Sequence, residues 1–195
     1  VLGKQDRKIG VFWHTQGSGK SLSMVFYVNK TKRLPELRSP AYVFLTDRED
    51  LDDQLHKVFS RTGYATLAKR ATSIIDLKQK IKELDGGVSR LIFSTLHKFK
   101  DYTEDLAEFS SRENIIVLAD EAHRTQYSEL AGKVRRALPN ASFLGVTGTP
   151  ISTVQKDTMR VFGDIVSSYK IGQAVKDKAT VPIYYEGRLV PLHLA

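Results

Sequence analysis

Ile9-Gly10-Val11-Phe12-Trp13-His14-Thr15-Gln16-Gly17-Ser18-Gly19-Lys20-Ser21 carries three signals in one run. The apolar stretch Ile9–Trp13 reads as a buried strand, Gly17 and Gly19 mark a tight turn, and Ser21–Lys32 opens a helix-like stretch directly after it. Strand, glycine turn and helix is an arrangement that gathers backbone N–H groups around an anion. Glycine lets the chain curl closely, and the helix adds its positive N-terminal end. From His14 to Ser21 the residues follow the phosphate-binding pattern G-x-x-x-x-G-K-[ST], except that His14 stands at the first glycine. In that reading Gln16, Gly17, Ser18, Gly19, Lys20 and Ser21 bind a nucleotide. Lys20 reaches the β- and γ-phosphates, and Ser21 ligates Mg²⁺. The competing reading is a Gly/Ser turn beside a solvated lysine.

Outward from this run, Ala41–Leu45, Leu91–Phe93, Ile115–Ala119 and Phe143–Val146 are further short runs rich in Val, Ile, Leu or Phe. Continuous apolar runs of this length read as parallel strands buried on both faces. Helical spacing separates them. Asp50–Arg61 puts Leu51, Leu55, Val58 and Phe59 on one face, and Ser73–Leu84 does the same with Ile74, Leu77, Ile81 and Leu84. Ser73 is placed as an N-cap. Glu129–Leu138 repeats Leu130, Val134 and Leu138, then stops before Pro139. Strand and helix thus alternate over residues 9–150, which predicts an α/β fold with a mainly parallel sheet covered by helices on both faces. Two segments are expected: a lobe over 1–150 and an extension over 151–195. In the extension Ile165–Tyr169 and Pro182–Tyr185 read as strands around a short helix, Gly172–Lys178.

Two later motifs bear on chemistry. Ile115–Ala119 runs into Asp120-Glu121-Ala122-His123, an apolar strand ending in two carboxylates, the Walker B pattern. Side chains alternate across a strand, so both carboxylates reach one site only if the chain bends just after Asp120. Asp120 then holds Mg²⁺ and Glu121 orients and deprotonates the attacking water. The bland reading is a solvated loop pair. Gly145-Val146-Thr147-Gly148-Thr149-Pro150 closes another strand with two hydroxyls at a carboxyl edge, where ligands of α/β sheets bind. Taken alone it is a turn.

Composition narrows the classes further. The 195 residues contain no cysteine, which excludes disulfides, thiolate metal sites and cysteine nucleophiles. No apolar run approaches the roughly 20 residues of a membrane span, and no signal-like region opens the chain. The net charge is +8. Residues 1–40 hold eight basic and two acidic side chains, whereas 101–150 hold five and eight. The basic excess therefore lies near the glycine turn, and an acidic zone surrounds Asp120. The start at Val1, so close to the first strand, leads to the expectation of a piece of a longer chain.

Together WHTQGSGKS, DEAHRTQ and GVTGTPI resemble the first RecA-like lobe of a superfamily two helicase or translocase. With the tail QAVKDKATVPIYYEGRL (Gln173–Leu189) they are similar to the R subunit of type I restriction enzymes. The resemblance covers roughly residues 9–190. It implies a RecA-like P-loop NTPase lobe that uses ATP and Mg²⁺, with Lys20 and Glu121 in catalytic roles and Ser21 and Asp120 on the metal. His123, Thr147 and Thr149 match residues that couple nucleotide state to the motor. Thr46 and Arg48, after the second strand, match a DNA-contacting motif, as do Thr95 and Lys98 after Leu91–Phe93. It also implies a sheet order with the Thr147 strand between the Lys20 and Asp120 strands. The family's partners are double-stranded DNA, gripped through its backbone, and methyltransferase and specificity subunits, in a bacterial or archaeal cytoplasm.

Several family features are not visible in this sequence. It contains no Pro-Asp, so the PD-(D/E)xK nuclease pattern is missing, as are an upstream adenine-reading glutamine motif and the second lobe's arginine finger. Arg124 follows the DEAH box but is expected to be structural or at the surface. The alternatives are another superfamily two lobe, a small-molecule P-loop kinase, and a module that binds nucleotide or DNA without catalysis. The kinase needs an acceptor pocket and a lid, and intact Lys20, Asp120 and Glu121 argue against the inert module.

Overall fold

The computed structural model describes residues 6–86, 91–122, 125–148, 155–182 and 184. Among them, seven strands form one sheet: β1 (Lys8–His14), β2 (Ala41–Thr46), β3 (Ala68–Arg70), β4 (Leu91–Thr95), β5 (Ile115–Asp120), β6 (Ser142–Thr147) and β7 (Ile165–Tyr169). Their order is β3-β4-β2-β5-β6-β1-β7, and every pairing is parallel. The helices between them are α1 (Lys20–Thr31), α2 (Glu49–Phe59), α3 (Ile74–Lys82), α4 (Thr125–Ala137), α5 (Gln155–Phe162) and α6 (Ile171–Lys176).

Alternation along the strands sorts the core into two layers. Tyr42 and Phe44 of β2 and Leu118 of β5 pack with Met24 and Val28 of α1 and with Leu55 and Phe59 of α2. The neighbouring residues Val43, Leu45, Val117 and Ala119 pack on the other face against Leu77 and Ile81 of α3, Val134 of α4 and Phe162 of α5. Phe44 sits at the centre of the first layer, its ring stacked 4.6 Å from Phe93 and tilted against Phe59 at 4.7 Å. Apart from Asp120 at the end of β5, both faces of β2, β4 and β5 are buried, which is why these strands read as apolar runs.

The N-cap of α3 forms as expected: the Asp76 N–H donates to Ser73 Oγ at 3.1 Å. The Asp76 carboxylate accepts from Lys80 and from the Thr72 N–H, and these bonds hold it below the usual carboxylate range. Other elements depart from the sequence expectation. Strand β3 and helix α5 were not expected, and α4 starts at Thr125, ahead of Glu129. Helix α2 continues into a wider turn, Ser60–Tyr64, where Thr62 and Gly63 leave helical geometry. Strand β7 does form, and it pairs with β1 in the same sheet as the motif-bearing strands. Pro182 lies outside any strand, and Ile183 and Tyr185 fall outside the described residues.

Two substitutions probe these contacts. Phe44→Ala removes a ring at the centre of a packed layer and is expected to cost roughly 3–5 kcal/mol. Ser73→Ala removes one cap and is expected to cost about 1 kcal/mol. Denaturant unfolding checks both, and a smaller loss for Phe44→Ala than for Ser73→Ala would contradict this core.

Candidate nucleotide site

All strands run parallel, so their carboxyl ends share one edge, and the order β5-β6-β1 makes three of those ends neighbours. As the resemblance implied, β6, which ends at Thr147, lies between the strand ending at Asp120 and the strand leading to Lys20. The loop after β1 is shaped by backbone that only glycine adopts easily: Gly17 and Gly19 have φ of 78° and 86°. The Ser18 N–H donates to the Thr15 carbonyl at 3.2 Å, closing the curl. Gly19 is the N-cap of α1 and has no side-chain cap, so the first N–H groups of that helix face the loop without a side-chain acceptor. Gln16 and Gly17 are exposed, while Ser18, Lys20 and Ser21 are half-buried.

Lys20 turns back across the edge. Its Nζ lies 4.0 Å from Glu121 Oε1, with both side chains largely sheltered. It also fills the space beside Gly148, where an added Cβ would come within 2.6 Å of Lys20 Nζ. Glu121 has φ of 52°, a left-handed conformation unusual for a non-glycine residue. This is the bend the Walker B reading required. The Ala122 N–H, donating to the Val146 carbonyl at 3.1 Å, ties the chain to β6 just after the bend. The Glu121 N–H donates to Asp120 Oδ1 at 3.0 Å. Burial, and then the charge of Glu121, push the Asp120 carboxyl up to about 6, against the opposing pull of Lys20. Such crowded carboxyls fit a cation. Asp120 and Ser21 are one carboxylate and one hydroxyl, a donor set that suits Mg²⁺ when phosphate oxygens and water complete its shell.

Thr147 is buried at the end of β6 and has a polar partner. His123, Arg124 and Thr149 lie outside the described residues. Further along the edge, Thr46 and Thr95 are buried. The Thr46 hydroxyl donates to the Arg48 carbonyl at 3.2 Å, and Lys98 Nζ donates to Thr95 Oγ1 at 3.1 Å. Of these four residues Arg48 is exposed and Lys98 half-buried. The structure thus brings Lys20, Glu121 and Asp120 together, and Thr46, Arg48, Thr95 and Lys98 lie along the same sheet edge at β2 and β4.

Sequence reasoning did not foresee the anchoring of His14 and Thr15. His14 Nε2 and Ser167 Oγ share a hydrogen bond of 2.8 Å, and the Thr15 N–H donates to the Tyr169 carbonyl at 2.9 Å. Burial, and then the charge of Lys20, hold the His14 ring below its ordinary range. The only sequence signal was negative: a bulky residue where the loop pattern has glycine.

Comparison with known proteins agrees with this geometry. The matching family model is that of the SWI2/SNF2 ATPase, over residues 1–195. A Methanocaldococcus jannaschii protein named as a type I restriction enzyme endonuclease subunit, MjaIXP, is 49% identical over 192 residues, which cover 97% of this chain and 18% of that protein. The type I restriction enzyme HindI endonuclease subunit of Haemophilus influenzae is 46% identical over 200 residues, 94% of this chain and 19% of that protein. The chain thus spans about a fifth of the length of these relatives. Among solved structures, the Pyrococcus furiosus Hef helicase domain aligns with 87% of this chain and 36% of its own, at a TM-score of 0.59 and 18% identity. The yeast DEAD-box splicing factor Prp28 aligns with 84% of this chain and 43% of its own, at 0.54 and 16%. These two share the fold, that of RecA-like helicase lobes. With loop, carboxylate pair and sheet order in place, and the family match running the whole length, the chain belongs to the SWI2/SNF2 ATPase family.

Proposed function

We propose that this chain is the ATP-binding lobe of a DNA-translocating motor in the R subunit of a type I restriction enzyme. The observation that carries the reading is the Lys20 ammonium, which follows the glycine loop and turns back to Gly148 and Glu121. The loop N–H groups and the start of α1 bind the β-phosphate, and the Lys20 ammonium swings from Glu121 onto the β- and γ-oxygens. Ser21 and Asp120 would hold Mg²⁺, whose charge would offset that of the transferring phosphoryl group. Glu121, released from Lys20, orients a water and accepts its proton. Thr147, Thr149 and His123 pass nucleotide state to the rest of the motor. Main-chain groups after β2 and β4, with Arg48 and Lys98, grip the phosphate backbone of double-stranded DNA without reading bases. Methyltransferase and specificity subunits complete the assembly, and the setting is the cytoplasm of a bacterium or archaeon. Among the described residues, no helix is long and apolar enough to cross a membrane.

Three measurements test the site. In the intact protein Lys20→Ala should lower DNA-stimulated ATP hydrolysis by roughly a hundredfold or more; undiminished turnover in that variant would sink the assignment. Gly148→Ala drives a methyl group into the ammonium, so it should weaken nucleotide binding while thermal stability changes little. A variant that unfolds but still binds when folded would contradict this. Asp120 ionises later in the folded protein, near 6, than in the unfolded chain, near 3.8. Its charge therefore erodes stability as pH rises through that window and costs its full amount above it. Asp120→Asn should accordingly stabilise the nucleotide-free protein at pH 7 by about 1–3 kcal/mol, with the gain fading by pH 4, while abolishing hydrolysis. Unfolding at the two pH values reads this out.

A further inference from the structure

The segment from β7 through α6 lies outside the phosphate-loop motif, yet it holds the loop at several points. Ser167 and the Tyr169 carbonyl bind His14 and Thr15. The Tyr169 ring meets the His14 ring edge-on at 6.1 Å, and Lys170 Nζ lies 5.5 Å from the Trp13 ring centre. Thr180 reaches the loop itself: its hydroxyl oxygen lies 3.4 Å from the position a Cβ on Gly17 would occupy.

The placement of Thr180 is specified by several bonds. Helix α6 ends at Lys176, and Lys178 takes a left-handed φ of 58°. The Lys178 N–H donates to the Val175 carbonyl and the Ala179 N–H to the Ala174 carbonyl, at 3.0 and 2.8 Å. This is the Schellman pattern, with a lysine where glycine is usual. Ala174, fully buried, also accepts from the Thr180 N–H at 3.2 Å. The Tyr169 hydroxyl donates to Asp177 at 2.9 Å and ties the strand end to the helix end. A left-handed non-glycine residue is strained and persists only where its surroundings impose it. Here the result is a threonine turned back onto a glycine loop. Among the described residues the Thr180 hydroxyl has no hydrogen-bond partner.

Sheet order says which end of a nucleotide it faces. Glu121 and Gly148 approach the loop from β5 and β6, on one side of β1, and β7 lies on the other side. Glu121 marks the γ-phosphate end, so the nucleoside end runs to the β7 flank. We propose that Thr180 belongs to the nucleotide site and that its hydroxyl bonds the ribose and α-phosphate end of ATP beside Gly17. The proposal rests on the nucleotide reading of the loop.

The test is calorimetric titration of the intact protein with Mg–ATP and with Mg–pyrophosphate, comparing the parent with Thr180→Val and Thr180→Ser. Thr180→Val keeps the shape and removes the hydroxyl. It should weaken ATP about tenfold and change pyrophosphate by less than about twofold, and Thr180→Ser should restore ATP. Unchanged ATP affinity in Thr180→Val overturns the proposal. So does an equal loss for ATP and pyrophosphate, which would mark Thr180 as a prop for the loop alone. If the parent protein binds no ATP, the nucleotide reading itself fails.

Discussion

A parallel sheet delivers the carboxyl end of every strand to one edge, and its hydrogen-bond ladder decides which ends are neighbours. In this chain the ladder seats β6 between β5 and β1, with Gly145 opposite both Ala119 and Val11. That register brings the end of β6 up to the loop after β1 and to the bend after β5. Lys20 can then touch groups from all three strands. A shift of one residue in any of them would turn the inward side chains to the opposite face and separate the ammonium from its partners. The two apolar layers enforce the register because both faces of β2, β4 and β5 are buried.

How much of this was legible depends on what each element is made of. The five central strands are runs of branched and aromatic residues, and in β2, β4 and β5 burial on both faces leaves few other readings. Strand β3 is Ala68-Lys69-Arg70, three residues with both cations exposed. Its one apolar residue, Ala68, is too small a signal to mark it, and it is held by pairing with β4 and by the Arg70 guanidinium on Asp52 and Asp53. Helix α5 is mostly polar; among its described side chains Thr158 and Phe162 are buried, and Phe162 alone adds an apolar ring to the core. At the site, the Gly-Lys-Ser core and the Asp-Glu pair were readable because their chemistry is local. The bend at Glu121 was legible as a requirement. Gly148 was legible as a turn, and its close approach to Lys20, far away in sequence, was not. Thr180 and Gly17 lie farther apart still, and no periodicity links them.

The uneven charge gains a physical meaning from the same edge. The acidic zone around Asp120 is compressed where Asp120 and Glu121 adjoin Lys20, so repulsion is concentrated where a cation would relieve it. Elsewhere acids are neutralised one by one: Asp52 is buried with one oxygen on Arg70 and the other without a hydrogen-bond partner, and burial raises its carboxyl despite that arginine. The first kind of crowding sits at the edge proposed to hold the nucleotide, and the second fastens β3 to α2.

The two margins of the sheet differ in how they meet solvent. At one margin β3 is only three residues long and ends in two cations, and short, charged rims resist further pairing. At the other, β7 extends over five residues, none fully buried, and Val166 is more than half exposed. No strand lies beyond it among the described residues. A long, half-exposed rim is the more open of the two to pairing with another extended segment, and it lies on the side that also anchors the phosphate loop.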